Sequence, residues 1–204
     1  MRILALSPHP DDIELNAGGF LDKHIDDYIY NVYFSMCEKS LIDLPKDTLR
    51  KESNDACYIM DAAPIYENYD VREFNRDRQH ILDTILGYKR GFDPDLVLIP
   101  SASDIHQDHQ VIHNEAIRAF PNTNVLAYGS PKNCRSFNPN YFESLTEEEV
   151  ENKMELIRCY KSQLELRPQY LNEESVKATL QFWGGHIGVK YAEAFEVITL
   201  INKI

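Results

Sequence analysis

The 204-residue chain has 43% hydrophobic and 26% charged residues, the balance of a folded, water-facing protein rather than a disordered or fibrous one. With 21 Lys+Arg against 33 Asp+Glu, its formal charge of −12 disfavours nucleic acid or an anionic membrane surface as partner and favours a small molecule. The length fits one domain spanning residues 1–204. Cys37, Cys57, Cys134 and Cys159 form no CxxC pair and read as reduced, structural thiols. The opening apolar run, Ile3 to Leu6, is too short for a signal-peptide core, and no stretch approaches the ~20 apolar residues of a membrane span, so a cytoplasmic location is expected.

In chain order, "RILALS" (2–7) predicts a buried strand, and Asn16 is placed to cap a helix after it. "YNVYFSM" (30–36) alternates as a strand, and a helix starting at Pro45 follows. A helix over 75–91, stopped at Gly91, feeds the apolar strand 95–101; a helix over 108–120 and a strand over 124–129 repeat the unit. A proline- and asparagine-rich loop then precedes a capping box, Thr146 and Glu149, that opens a helix over 147–164. A helix near 173–182 and a strand near 193–201 complete the chain. This alternation predicts an α/β fold with a mostly parallel sheet covered by helices.

Two polar clusters follow predicted buried strands: "SPHPDDIE" after the first and "SDIHQDH" after the strand 95–101. Ligands bind beyond the carboxyl ends of such strands, so both clusters belong to one edge of the sheet. His9 and Asp12 stand at i, i+3, close enough to grip one ion, and the later cluster can supply a third ligand, leaving a position for water. Asp11 is then the spare carboxylate for a general base. Each cluster alone has a plainer reading: "HPDD" as a proline-fixed turn whose aspartates cap the next helix, "HQDH" as a solvated helix start. Their joint placement favours the metal reading.

At these residues the sequence resembles the PIG-L/LmbE family of zinc-dependent N-acetylglucosaminyl deacetylases, whose HPDDxE-type and HxDH motifs read here "HPDDIE" and "HQDH". The likeness continues through Gly18-Gly19, "LRKESNDA" (49–56), "CYKSQ" (159–163) and "KYAEAFE" (190–196). It implies a Rossmann-like α/β/α sandwich and hydrolysis of an N-acetyl group from an amino sugar or its conjugate. The implied metal ligands are His9, Asp12 and His109, the implied base Asp11. His106 would hydrogen-bond the oxyanion and protonate the leaving amine, and Asp108 would orient a histidine. Zn²⁺ is the implied ion, with Fe²⁺ equally compatible with these ligands; a homo-oligomer is implied by resemblance only. Pro8, Gln107 and the Asn16-Ala17 pair depart from the commonest pattern without removing a ligand or the base.

Arg50 and Asp70 match positions where the family often places polar residues near the sugar. His186, flanked by glycines, reads as a loop residue, either lining a pocket or packing the loop. His113 reads as helix packing or pocket lining, because position 110 is Gln where a zincin-like helix would carry Glu. His24 and His80 have no matching partners; Trp183 and Tyr141 are candidates for stacking on a sugar. Two other readings remain: a non-catalytic zinc- or carbohydrate-binding protein, or an amidase for a different N-acyl conjugate. A dinucleotide-binding enzyme lacks its GxGxxG after the first strand.

Overall fold

The computed structural model describes residues 1–201. Strand β1 (Arg2–Ser7) leads through α1 (Asp12–Lys23) to β2 (Tyr28–Tyr33), α2 (Thr48–Ile59), β3 (Ala63–Tyr66), α3 (Arg78–Phe92), β4 (Leu96–Pro100), α4 (Gln107–Ala119) and β5 (Asn124–Tyr128). Then come β6 (Tyr141–Leu145), α5 (Glu147–Cys159), α6 (Lys161–Leu166), α7 (Glu173–Ile187) and β7 (Tyr191–Thr199). The strands form one seven-stranded sheet in the order β3-β2-β1-β4-β5-β7-β6. The first five are parallel; β7 runs antiparallel to both of its neighbours. Among the described residues no helix is long and apolar enough to cross a membrane.

Both faces of the sheet are buried, which is why β1 and β4 are nearly continuous apolar runs. In β1, Ile3 and Ala5 face one layer with residues of α1, α2 and α5, while Leu4 and Leu6 face the other with residues of α3 and α4. β4 splits the same way, Leu96 and Leu98 against Val97 and Ile99. The chain runs outward from β1 to β3, then crosses back to β4 on the opposite side of β1. The carboxyl ends of β1 and β4 therefore flank the topological switch point, where such sheets open a crevice.

Helix α1 is anchored from the side by a buried ion pair. Lys153 of α5 and Glu193 of β7, 1% and 2% exposed, lie 2.5 Å apart. Glu193 accepts hydrogen bonds from the Gly19 and Phe20 amides, and Lys153 donates to the Glu14 and Leu15 carbonyls. Gly19 is required for this approach, since a β-carbon there would stand 2.5 Å from a Leu145 methyl and 3.2 Å from the Glu193 carboxylate.

Several elements differ from the sequence expectation. Helix α1 starts four residues before Asn16, immediately after the Pro10 turn; Asn16 caps nothing and donates from Nδ2 to the Asp12 carbonyl at 2.7 Å. Gly91 lies inside α3, which ends at the left-handed Asp93. The expected helix 147–164 breaks at Tyr160, whose ring is buried against Leu49 and Ala56, and Glu52 captures both the amide and the hydroxyl of Ser162 to start α6. His186 lies in the last turn of α7, not a loop: the helix runs through Gly184-Gly185 and stops at Gly188, with φ 74°. The capping box of Thr146 and Glu149 is present as expected.

Removing the Lys153 charge strands the Glu193 carboxylate in the core. We expect Lys153→Met to lower stability by about 3–5 kcal/mol, read as a fall in the urea midpoint with little change in slope.

Candidate active site

The two polar clusters meet at the switch point. Asp11, the residue before α1, has φ 81°, and its side chain makes no capping hydrogen bond. An aspartate there would ordinarily cap the first turn. The left-handed backbone, costing on the order of 1–3 kcal/mol for a non-glycine residue, instead leaves the carboxylate facing the cleft. Burial, together with the charges of Asp12 and Glu14, pushes the Asp11 carboxyl well above the usual range.

Behind the site two carboxylates fix two histidine rings. His9 donates from Nε2 to Asp108 Oδ2 at 3.0 Å, and His109 donates from Nδ1 to Asp104 Oδ2 at 2.8 Å. The remaining lone pairs, on His9 Nδ1 and His109 Nε2, then point to the same place as Asp12 Oδ2. The three atoms form a near-equilateral triangle with edges of 3.4, 3.2 and 3.3 Å. Three acceptors converging so closely repel one another unless a proton or cation lies among them. Accordingly, although burial opposes it, Asp12 and Asp104 carry His109 up to about 10, and Asp108 and Asp12 raise His9. Asp12, despite its burial, is held far below the carboxylate range by the same two histidines.

His106 caps α4: its Nδ1 accepts the Asp108 amide at 3.2 Å, so the proton of its neutral ring sits on Nε2. Burial and the charges of His9 and His109 lower it to about 4. Ring nitrogens of His9, His106 and His109 all lie within 4.8 Å of one another, so this triple too could hold a metal ion.

The structure thus brings His9, Asp11, Asp12, His106 and His109 to one cleft of about 130 Å³, with Asp108 behind them. Arg50, Asp70 and His186 are not among the residues lining it. The Arg50 guanidinium lies 4.2 Å from the Tyr66 ring centre, Asp70 accepts from Lys39 at 2.6 Å, and His186 sits among Phe142, Phe182 and Trp183. His113 donates from Nδ1 to the Pro100 carbonyl at 2.8 Å, tying α4 to the end of β4. Tyr141 donates to Glu143 away from the cleft, and Trp183 lines a neighbouring cavity.

Sequence reading missed Asp104, which besides holding His109 accepts the His106 amide at 2.8 Å. Its signal was an aspartate two residues before the HxDH motif, in position for an Asx turn. It also missed Arg72, whose amide donates to Asp108 at 2.7 Å from a left-handed backbone, and the cleft residues Lys132, Gln163, Arg167 and Tyr170.

Comparison with known proteins gives the fold and the family of the chain. The chain is 29% identical over 174 residues to the uncharacterized deacetylase YaiS of Escherichia coli K12, covering 78% of this chain and 90% of that one. Its fold matches N,N'-diacetylchitobiose deacetylase from Pyrococcus horikoshii with TM-score 0.78 at 22% identity, covering 97% and 83% of the two chains. It matches GalB, the 4-carboxy-2-hydroxymuconate hydratase of Pseudomonas putida KT2440, with TM-score 0.79 at 20% identity, covering 100% and 98%. At these identities the structural matches speak for the fold alone. The PIG-L family model, described as GlcNAc-PI de-N-acetylase, matches residues 4–120, more than half of the chain and both motifs, and the chain belongs to that family of deacetylases.

Proposed function

We propose that the protein is a zinc-dependent hydrolase that removes the N-acetyl group from an amino sugar or amino-sugar conjugate, releasing acetate and a free amine. The observation that carries this reading is the unpartnered Asp11 carboxylate beside the three-acceptor triangle. A tetrahedral zinc with bonds of about 2.0–2.1 Å needs ligand atoms about 3.3–3.4 Å apart. The triangle of His9, Asp12 and His109, with edges of 3.2–3.4 Å, fits that requirement. Fe²⁺ would accept the same donors. Held there, a divalent ion supplies an acidified water and polarises the acetyl carbonyl.

The chain's own groups supply the rest. Asp11 takes the proton of the attacking water, aided by surroundings that favour its protonated form. His106 donates from Nε2 to the oxygen of the tetrahedral intermediate. The proton that leaves the water then reaches the departing nitrogen from protonated Asp11 or from His106, both of which line the cleft. A protein that only bound zinc or sugar would need neither a free base nor an aimed N–H donor.

Two experiments test this reading. On a panel of N-acetylhexosamines and their conjugates, we expect acetate and amine in equal amounts from the zinc-loaded protein. Asp11→Asn should cut kcat by about 10²–10⁴-fold at unchanged zinc content; near-full turnover by that variant would remove Asp11 as the base. Asp104→Ala should free the His109 ring and weaken zinc binding about 10–100-fold in a chelator competition. Unchanged affinity would remove Asp104 from the support of the centre.

A further inference from the structure

The cleft of this acidic protein carries three cations, Arg72, Lys132 and Arg167, against two carboxylates, Asp11 and Asp12. Arg167 is the unusual one. Three arginines of the chain are half-buried, Arg2, Arg50 and Arg167. Arg2 pairs with Asp93 and Asp95, and Arg50 lies near Asp47 and against Tyr66. Among the described residues, the Arg167 side chain has neither a carboxylate within 4 Å nor a hydrogen-bond acceptor, although its backbone is tied down, the amide to the Gln163 carbonyl at 2.8 Å and the carbonyl to the Leu171 amide at 3.0 Å. Its charge nonetheless reaches both Asp11 and Tyr170. Lys132 approaches the same place from the loop after β5, its Nζ 4.7 Å from the centre of the Tyr170 ring. Arg72 stands on the loop after β3, its backbone fixed by Asp108 and Gln107.

A partly desolvated guanidinium without a partner loses hydration and gains nothing in return, unless a ligand supplies the missing acceptors. The planar fork suits two oxygens of one phosphate or carboxylate, and a lysine beside it adds a point charge. Three cations gathered around one cleft, in a chain of net charge −12, suit a small anion better than a polyanion or a membrane. We propose that Arg167, with Lys132 and Arg72, binds an anionic group of the substrate, a phosphate ester or carboxylate carried on the amino-sugar conjugate away from its acetamido group. The proposal rests on the deacetylase reading for the identity of the sugar, and the anion site is its addition.

The test separates binding from turnover. Calorimetry on the zinc-loaded protein at low salt would compare the methyl glycoside of N-acetylglucosamine, N-acetylglucosamine 6-phosphate and N-acetylmuramic acid, with amine release followed in parallel. At least one anionic probe should bind about tenfold or more tightly than the neutral glycoside, and 0.5 M salt should shrink the gap. Arg167→Gln should bring the ratio to about twofold or less, by raising KM rather than lowering kcat where turnover is seen. Preference for the 6-phosphate or for the carboxylate identifies the anion. Equal binding of neutral and anionic probes overturns the proposal even if all are deacetylated. So does an anion preference that survives Arg167→Gln combined with Lys132→Gln, which would place the anion on the metal. Tight anion binding lost on Arg167→Gln but unaccompanied by amine release upholds the anion site and overturns deacetylation of these sugars.

Discussion

The pair of Lys153 and Glu193 determines where the chemistry can stand. Helix α1 carries Asp12 at its first position and Asp11 just before it, so any slide or rotation of α1 moves a proposed ligand and the proposed base together. Packing of apolar side chains alone tolerates small slides. A carboxylate bound to two amides on one turn and an ammonium bound to two carbonyls do not. Both partners come from late in the chain, so the position of the N-terminal motif is settled only when α5 and β7 have docked. The glycines at 18 and 19 make that docking close enough, with Leu156 and Leu145 filling the space their side chains would have taken.

A second constraint is electrostatic. Five acidic residues, Asp11, Asp12, Glu14, Asp104 and Asp108, converge on the carboxyl ends of β1 and β4, and the fold gives four of them polar partners. Asp104 and Asp108 are absorbed by histidine N–H groups, and Asp12 by the same two rings from the front. Glu14 turns inward, where the Tyr33 hydroxyl donates to it and burial raises its proton affinity. Asp11 alone is left without a donor. A carboxylate buried beside Asp12 and Glu14 has a higher affinity for protons than a solvated one, which is what the proposed base requires near neutral pH.

Much of this was legible because β1 and β4 are apolar on both faces, and only a doubly covered parallel sheet asks for that. Once "RILALS" and "DLVLIPS" are placed in such a sheet, the two histidine clusters must share an edge. The structure then shows how tightly they meet. What sequence could not supply was side-chain direction. Asp104 looks like a turn former until its second oxygen is seen on His109, and Arg167 looks like any helix-end cation until its lack of a partner is seen. The errors have the same root: Gly184-Gly185 resembles a loop, but the missing β-carbon of Gly184 serves close contact with the backbone of Val189 and Lys190, so α7 continues and carries His186 away. Tyr160 follows a helical pattern, yet burial of its ring bends the chain there.

The cleft does not end at the reacting groups. A second cavity of about 200 Å³ adjoins it, lined by Val176, Leu180 and Trp183 of α7 and sharing Leu15, Lys132 and Tyr170 as common walls. The groups proposed to act on the acetamide line the polar cavity, which leaves the larger and more apolar one to whatever else the proposed substrate carries. Tyr170 and Lys132 stand between the two, held to each other by the cation over the ring. A bare monosaccharide would meet only one side of that wall. A conjugate extending past it would meet both, and its remote part could then orient the amide over Asp11 and His106 by binding energy gathered away from the reacting bond.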